Sequence, residues 1–122
     1  MHCEHNYPLQ KEHSDLDIGL PDGTTDEYYL NTLNDNLGIL IDRVNPEMVF
    51  YLSGVDVIST DKLGRLALTK EGCKERDRMV FSECKSRSIP IAVSMGGGYS
   101  EKVADIVDAH ANTFRTAIDI YE

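Results

Sequence analysis

Two apolar runs, "EMVFYLSGVD" and "IPIAVSM", constrain this chain more than anything else in it. Neither alternates polar with apolar residues, and proline and glycine bound them. That pattern suits strands buried on both faces, as in a parallel sheet. Parallel neighbours cannot be joined by a hairpin and need a crossover, usually a helix. The residues between the runs supply one. Thr69 reads as the N-cap of "KEGCKERDRMVFSECKSRS", where Cys73, Met79, Val80 and Cys84 mark an apolar stripe, with Gly72 its weak point. A right-handed strand–helix–strand unit follows.

Two more helices are predicted around it. "DEYYLNTLNDNLGILIDRV" sets Tyr29, Leu33, Leu37, Leu40 and Val44 at helical spacing, with Thr25 or Asp26 as N-cap. Asn45-Pro46 ends it, because the residue before proline avoids the helical region. "SEKVADIVDAHANTFRTAIDIYE" predicts the last helix, capped by Ser100, with Val103, Ile106, Val107, His110 and Phe114 on one face. Met1 to Thr25 is polar and punctuated; "LDIGL" reads as a short strand and "PDG" as a turn. The whole, residues 1–122, is one α/β domain of parallel strands and flanking helices.

The net charge of −9 argues against a nucleic-acid partner, since no basic patch offsets it. Lys74, Arg76 and Arg78 form the one basic cluster and read as the solvated face of a helix. No apolar run approaches the ~18–20 residues a bilayer needs, so no membrane partner is expected. The start lacks the regions of a signal peptide, and the expected location is the cytoplasm. Cys3, Cys73 and Cys84 are odd in number and scattered, which argues against a disulfide framework. His2, Cys3 and His5 make a metal-like cluster, with His13 further on, but "HCEH" lacks structural-zinc spacing.

Ligands of open parallel sheets sit outside the carboxyl ends of the strands. Two loops leave at that end, one with Gly54-Val55-Asp56 and the other with Gly96-Gly97-Gly98-Tyr99. The glycines could serve a strand-to-helix turn or an anion cradle, although neither glycine-rich phosphate motif fits. Asp56 could cap a loop or ligate a metal. A catalytic zinc takes about three protein ligands, so one aspartate does not make a site.

Taken together the motifs carry a resemblance. Gly54-Val55-Asp56, then Asp61-Lys62-Leu63-Gly64-Arg65-Leu66, Thr69-Lys70-Glu71-Gly72 and Gly97-Gly98-Tyr99 follow one another in order. The chain thus resembles the C-terminal part of the zinc-dependent histone deacetylase superfamily, of the bacterial deacetylase-like or class IV type. The early "SDLDIGLPDGTTDEYYL" is similar to that family as well. The resemblance implies the C-terminal portion of the arginase/deacetylase-type three-layer fold. It implies Asp56 as a ligand of the catalytic zinc and Tyr99 as the catalytic hydroxyl that stabilises the oxyanion. Gly97, Gly98, Leu63 and Tyr7 would line a channel for an acetylated lysine or acetylated amine.

The family also uses an adjacent histidine pair and an Asp-x-His on earlier strands. Neither is expected anywhere in this sequence. The resemblance therefore implies a deacetylase fragment that begins inside a strand of the family domain and holds zinc weakly or not at all when alone. Its open sheet edge should lead it to self-associate into an oligomer or to bind a chain supplying the missing half. The alternative is a catalytically dead α/β remnant or interaction module. A third reading would gather His2, Cys3, His5 and Asp56 into a new metal site.

Overall fold

The computed structural model describes residues 1–122. Helix α1 spans Asp26–Val44, with Asp26 and Glu27 in its first turn, where acids complement the helix dipole. It stops at Asn45, which adopts a left-handed conformation (φ 47°, ψ 58°) just before Pro46. Helix α2 spans Lys70–Ser86, and the Thr69 hydroxyl accepts from the Gly72 N–H at 2.9 Å. Asp26 ties the two helix starts together, accepting from the Thr69 amide at 2.8 Å and its hydroxyl at 2.6 Å. Gly72 is no weak point in this setting. A Cβ there would fall 2.0 Å from Asp26 Oδ1, so glycine is what lets α1 and α2 approach.

Strand β3, Val49–Gly54, pairs in parallel with β4, Ile91–Gly96, in register from Val49↔Ile91 to Gly54↔Gly96. Two shorter strands, β1 (His2–Cys3) and β2 (Gly19–Leu20), form a separate parallel pair. Helix α2 packs on β3, where the Tyr51 and Phe81 rings meet edge-on at 5.8 Å, and α1 and α3 flank α2. The larger core joins Cys3, Leu20, Tyr29, Leu33, Leu66, Leu68 and Val80. A smaller one, of Val55, Ile58, Cys73 and Ala109, lies under the loops that leave β3 and β4.

Three sequence expectations change. First, β3 is covered on one face only: Phe50 is 81% and Leu52 68% exposed. Secondly, Arg76 is not on a solvated face but only 4% exposed, because Asp77 beside it supplies a buried counter-charge. Thirdly, α3 spans Val103–Tyr121 behind Lys102, so Ser100 is not its cap; the Ser100 hydroxyl bonds to that of Thr60 at 2.8 Å instead. Helix α3 packs through the small residues Ala109, Thr113 and Thr116, which leaves Val103, Val107 and Phe114 exposed. No helix is long and apolar enough to cross a membrane.

Candidate active site

The ends of β3 and β4 are held at one level. The Val55 N–H donates to the Gly96 carbonyl at 3.0 Å, and Val55 is completely buried. The chain then turns, and Asp56 emerges half-buried at the carboxyl end of the sheet. Gly97 lies directly over it, in the left-handed region at φ 68°. A Cβ on Gly97 would sit 2.8 Å from both Cβ and Cγ of Asp56. The bare backbone is therefore required for the second loop to pass across the Asp56 side chain. Since α3 begins only at Val103, the glycines do not open a helix, which removes the anion-cradle reading.

Asp61 stitches the two loops together. Its Oδ1 accepts from the Leu63 and Gly64 amides at 2.9 and 2.7 Å, and its Oδ2 accepts from the Tyr99 amide at 2.6 Å. The Lys62 amide reaches the Tyr99 carbonyl at 3.4 Å. One carboxylate thus sets the 61–64 turn and the backbone of Tyr99 at once. Gly64 closes the arrangement, because a Cβ there would lie 1.8 Å from the Asp56 carbonyl oxygen. The side chains of Leu63 and Tyr99 project outward and are exposed.

A second buried carboxylate holds the floor. Asp77, with no exposed surface, accepts from the Tyr51 hydroxyl at 2.5 Å and from Thr113 at 2.6 Å. It also receives Nε and Nη2 of Arg76 at 2.9 and 2.8 Å. Arg76 spends Nη1 on the Gly54 carbonyl at 2.6 Å, so the ion pair clamps the last residue of β3, two positions before Asp56. Burial, and after it the nearby Asp61 carboxylate, pushes the Asp56 carboxyl above the usual carboxylate range.

The structure brings Asp56, Leu63, Gly97, Gly98 and Tyr99 to one end of the sheet. Tyr7 is exposed in the segment after β1 and makes no hydrogen bond to either loop. The organising roles of Asp61, Arg76 and Asp77 went unread in the sequence. An Asp two and three residues ahead of Leu63 and Gly64 is an Asx-turn signal.

Cys3 and His5 do not turn toward Asp56: the Cys3 thiol donates to Asp22 at 3.0 Å, and His5 Nδ1 meets the same oxygen at 2.9 Å. Contrary to expectation the sequence does hold one Asp-x-His, Asp108-Ala109-His110, but it lies within α3 rather than at a strand end, and Asp108 pairs with Lys70 at 3.3 Å. No three His, Cys, Asp or Glu side chains come close enough to hold a metal ion. The residues of this chain do not by themselves fit a catalytic zinc, whose protein ligands number about three.

Comparison with known proteins gives this arrangement its context. Residues 2–114 match the histone deacetylase domain. An uncharacterized protein of Picosynechococcus sp. is 46% identical over 121 residues, which are 99% of this chain and 40% of that protein. Histone deacetylase 2 of Arabidopsis thaliana is 31% identical over 93 residues, 76% of this chain and 24% of its own length. The chain therefore spans well under half of either relative. Among solved structures, the HD domain of HDA15 superposes with a TM-score of 0.72 at 17% identity, covering 96% of this chain and 36% of that one. The histone deacetylase Clr3 superposes with a TM-score of 0.68 at 18% identity, covering 84% of this chain and 17% of Clr3. With residues 2–114 matching that domain and the fold shared over nearly all its length, the chain belongs to the histone deacetylase domain family.

Proposed function

We propose that this chain contributes one wall of a deacetylase active site, acting on an acetylated lysine or acetylated amine. The observation that carries the reading is the Asp61 carboxylate, which fixes the Tyr99 backbone to the loop behind Asp56. Tyr99 supplies a hydroxyl that donates to the amide carbonyl oxygen as negative charge develops on it. A donor held in place beforehand needs no reorganisation during the reaction. Asp56 contributes one carboxylate to a zinc site that other segments complete, and the general base is supplied with them. Gly97 lets its loop cross the Asp56 side chain and Gly98 lets that loop pack on Ile106 and Val55, while Leu63 gives the channel an apolar wall. Tyr7 would join that wall only when the segment after β1 is packed by a partner. On this reading the chain alone has little activity and works with the rest of a deacetylase domain.

The test is reconstitution with the part of the Picosynechococcus relative that lies outside the matched residues. Release of acetate from an acetyl-lysine peptide is expected with the native chain, falling ~10²–10³-fold in Tyr99→Phe. About one bound zinc per chain is expected in the mixture, and it should be lost in Asp56→Ala. A Tyr99→Phe mixture as active as the native one would sink the reading.

A further inference from the structure

A third carboxylate, Asp22, joins parts of the chain that are far apart in sequence. It lies in the turn between β2 and α1. Its Oδ1 meets the Cys3 thiol at 3.0 Å and His5 Nδ1 at 2.9 Å, and its Oδ2 accepts from Nη1 of Arg65 at 3.0 Å. A carboxylate paired with Arg65 only accepts, so His5 Nδ1 carries the ring proton and donates it. Backbone bonds zip the same turn to the loop that follows Leu63. The Gly23 amide donates to the Arg65 carbonyl at 2.7 Å, and the Ala67 amide to the Thr24 carbonyl at 2.9 Å. Arg65 stands just past the Leu63-Gly64 turn, which Asp61 holds. A path of bonds therefore runs from His5 through Asp22 to the loop that carries Leu63.

The other end of that path is the segment that carries Tyr7. The Asn6 amide turns back to the Cys3 carbonyl at 3.2 Å, and the Lys11 ammonium donates to the Asn6 and Pro8 carbonyls. The segment is thus closed on itself, with Tyr7 fully in solvent at its tip. Its root has two anchors. Cys3 is buried in the larger core, whereas the exposed His5 side chain has Asp22 as its one hydrogen-bond partner.

We propose that His5 is a positioning residue for the substrate channel, forming with Asp22 and Arg65 a clasp that fixes the root of the Tyr7 segment relative to the Leu63 loop. The inference rests on the reading in which Tyr7 and Leu63 wall a channel for an acetylated lysine or amine, and names what sets one wall against the other. The clasp holds the root and leaves the tip to close on the channel when the rest of the domain packs on it. A wall contacts substrate alike before and during the reaction, so misplacing it weakens binding without slowing the chemistry. Tyr99 is held separately, through its own amide.

The experiment compares His5→Asn with His5→Gln and His5→Ala. An asparagine puts its amide nitrogen where Nδ1 stands, while a glutamine reaches to the place of Nε2, so only His5→Asn keeps the clasp. In heteronuclear NMR spectra of the full chain, His5→Ala should move the amide signals of Tyr7, Asp22 and Arg65 together, and His5→Asn should leave them near their native positions. In the reconstituted mixture, His5→Ala and His5→Gln should raise KM for the acetyl-lysine peptide ~2–5-fold at unchanged kcat, the modest size that suits an exposed pair. His5→Asn should restore the native KM. Arg65 and Asp22 signals that stay in place in His5→Ala would overturn the proposal, because the clasp would then not join the two loops. So would a native KM for His5→Ala in a mixture that Tyr99→Phe does impair, or a fall in kcat instead of a rise in KM. A mixture indifferent to Tyr99→Phe sinks the deacetylase reading, and the spectra of the chain alone still decide whether the clasp exists.

Discussion

On the covered side of β3, Tyr51 bonds to the buried Asp77 and Ser53 is itself fully buried, whereas on the other side Phe50 and Leu52 stand in solvent. The covered side is the more polar of the two. It holds Arg76, Asp77, Thr113 and the Tyr51 hydroxyl, each paired with another. The open side is almost purely apolar. Burial and hydrophobicity have parted company here, because a buried polar group is tolerable once it is satisfied, while an apolar face needs a neighbour to cover it. The polar cluster fixes the position of the β3 end that carries the site. The apolar face adds nothing to this chain by itself.

The sharpest way to break this contrast is to remove Asp77. Asp77→Ala leaves the Arg76 guanidinium buried without its counter-charge and orphans the Tyr51 and Thr113 hydroxyls. A loss of ~3–5 kcal/mol is expected, read from the urea midpoint at constant slope. A cost under ~1 kcal/mol would mean that the cluster does not hold the end of β3. Gly64→Ala comes next. Its Cβ would lie 1.8 Å from a backbone oxygen rather than a side chain that could swing aside, so the loop must move. About 1–3 kcal/mol should be lost. Amide shifts in a heteronuclear NMR spectrum should change together at Asp56 and Tyr99. Unchanged shifts at Tyr99 would show that Asp61 does not couple the loops.

The contrast also explains what was legible in the sequence. The helices, the two longer strands and the convergence of Asp56 with Tyr99 follow from periodicity and from the glycines at strand ends, which are local properties. Thr69 capping α2 is local as well, and it was readable. Arg76 was not, because a charge run looks solvated until its counter-ion is seen to be buried with it. Ser100 misled for a related reason: a serine just before a helical pattern is a cap only if no other hydroxyl claims it, and Thr60 does, forty residues away. The apolar stripe of α3 was read correctly as a stripe, yet the helix docks through Ala109, Thr113 and Thr116, whose small size allows a close approach to α2. The Asp61 bridge depends on a contact between two loops far apart in sequence, so no local pattern announces it.

A milder test asks whether the outer side of β3 is indifferent to its own side chains. The double variant Phe50→Lys, Leu52→Lys should change the stability of the isolated chain by no more than ~0.5 kcal/mol, since neither residue is buried. Tyr51→Ala, one position away on the covered side, should cost ~3 kcal/mol or more through the lost ring contact with Phe81, the cavity left behind and the lost hydroxyl bond to Asp77. Equal effects from the two variants would mean that the sides do not differ as described.

The smallest effect concerns the β1–β2 corner, where Asp22 accepts from the Cys3 thiol and pairs with His5 and Arg65. The thiol bond first, then those to His5 and Arg65, hold its carboxyl well below the usual carboxylate range. A depressed folded value means the unfolded chain takes up the proton more readily. The stabilisation is therefore complete above the unfolded value of about 3.9 and is lost as pH falls through the lower folded one. Cys73 runs the other way. Burial pushes its thiol up to about 11, so its contribution is complete below the ordinary thiol value of about 8.5 and fades as pH rises toward the folded one. Thermal melts from pH 5 down to about pH 2 should fall more steeply for the native chain than for Asp22→Asn. Parallel acid limbs would mean that the exposed Asp22 contacts are too well screened by water to matter, leaving the Arg76–Asp77 pair as the ionic contact that counts.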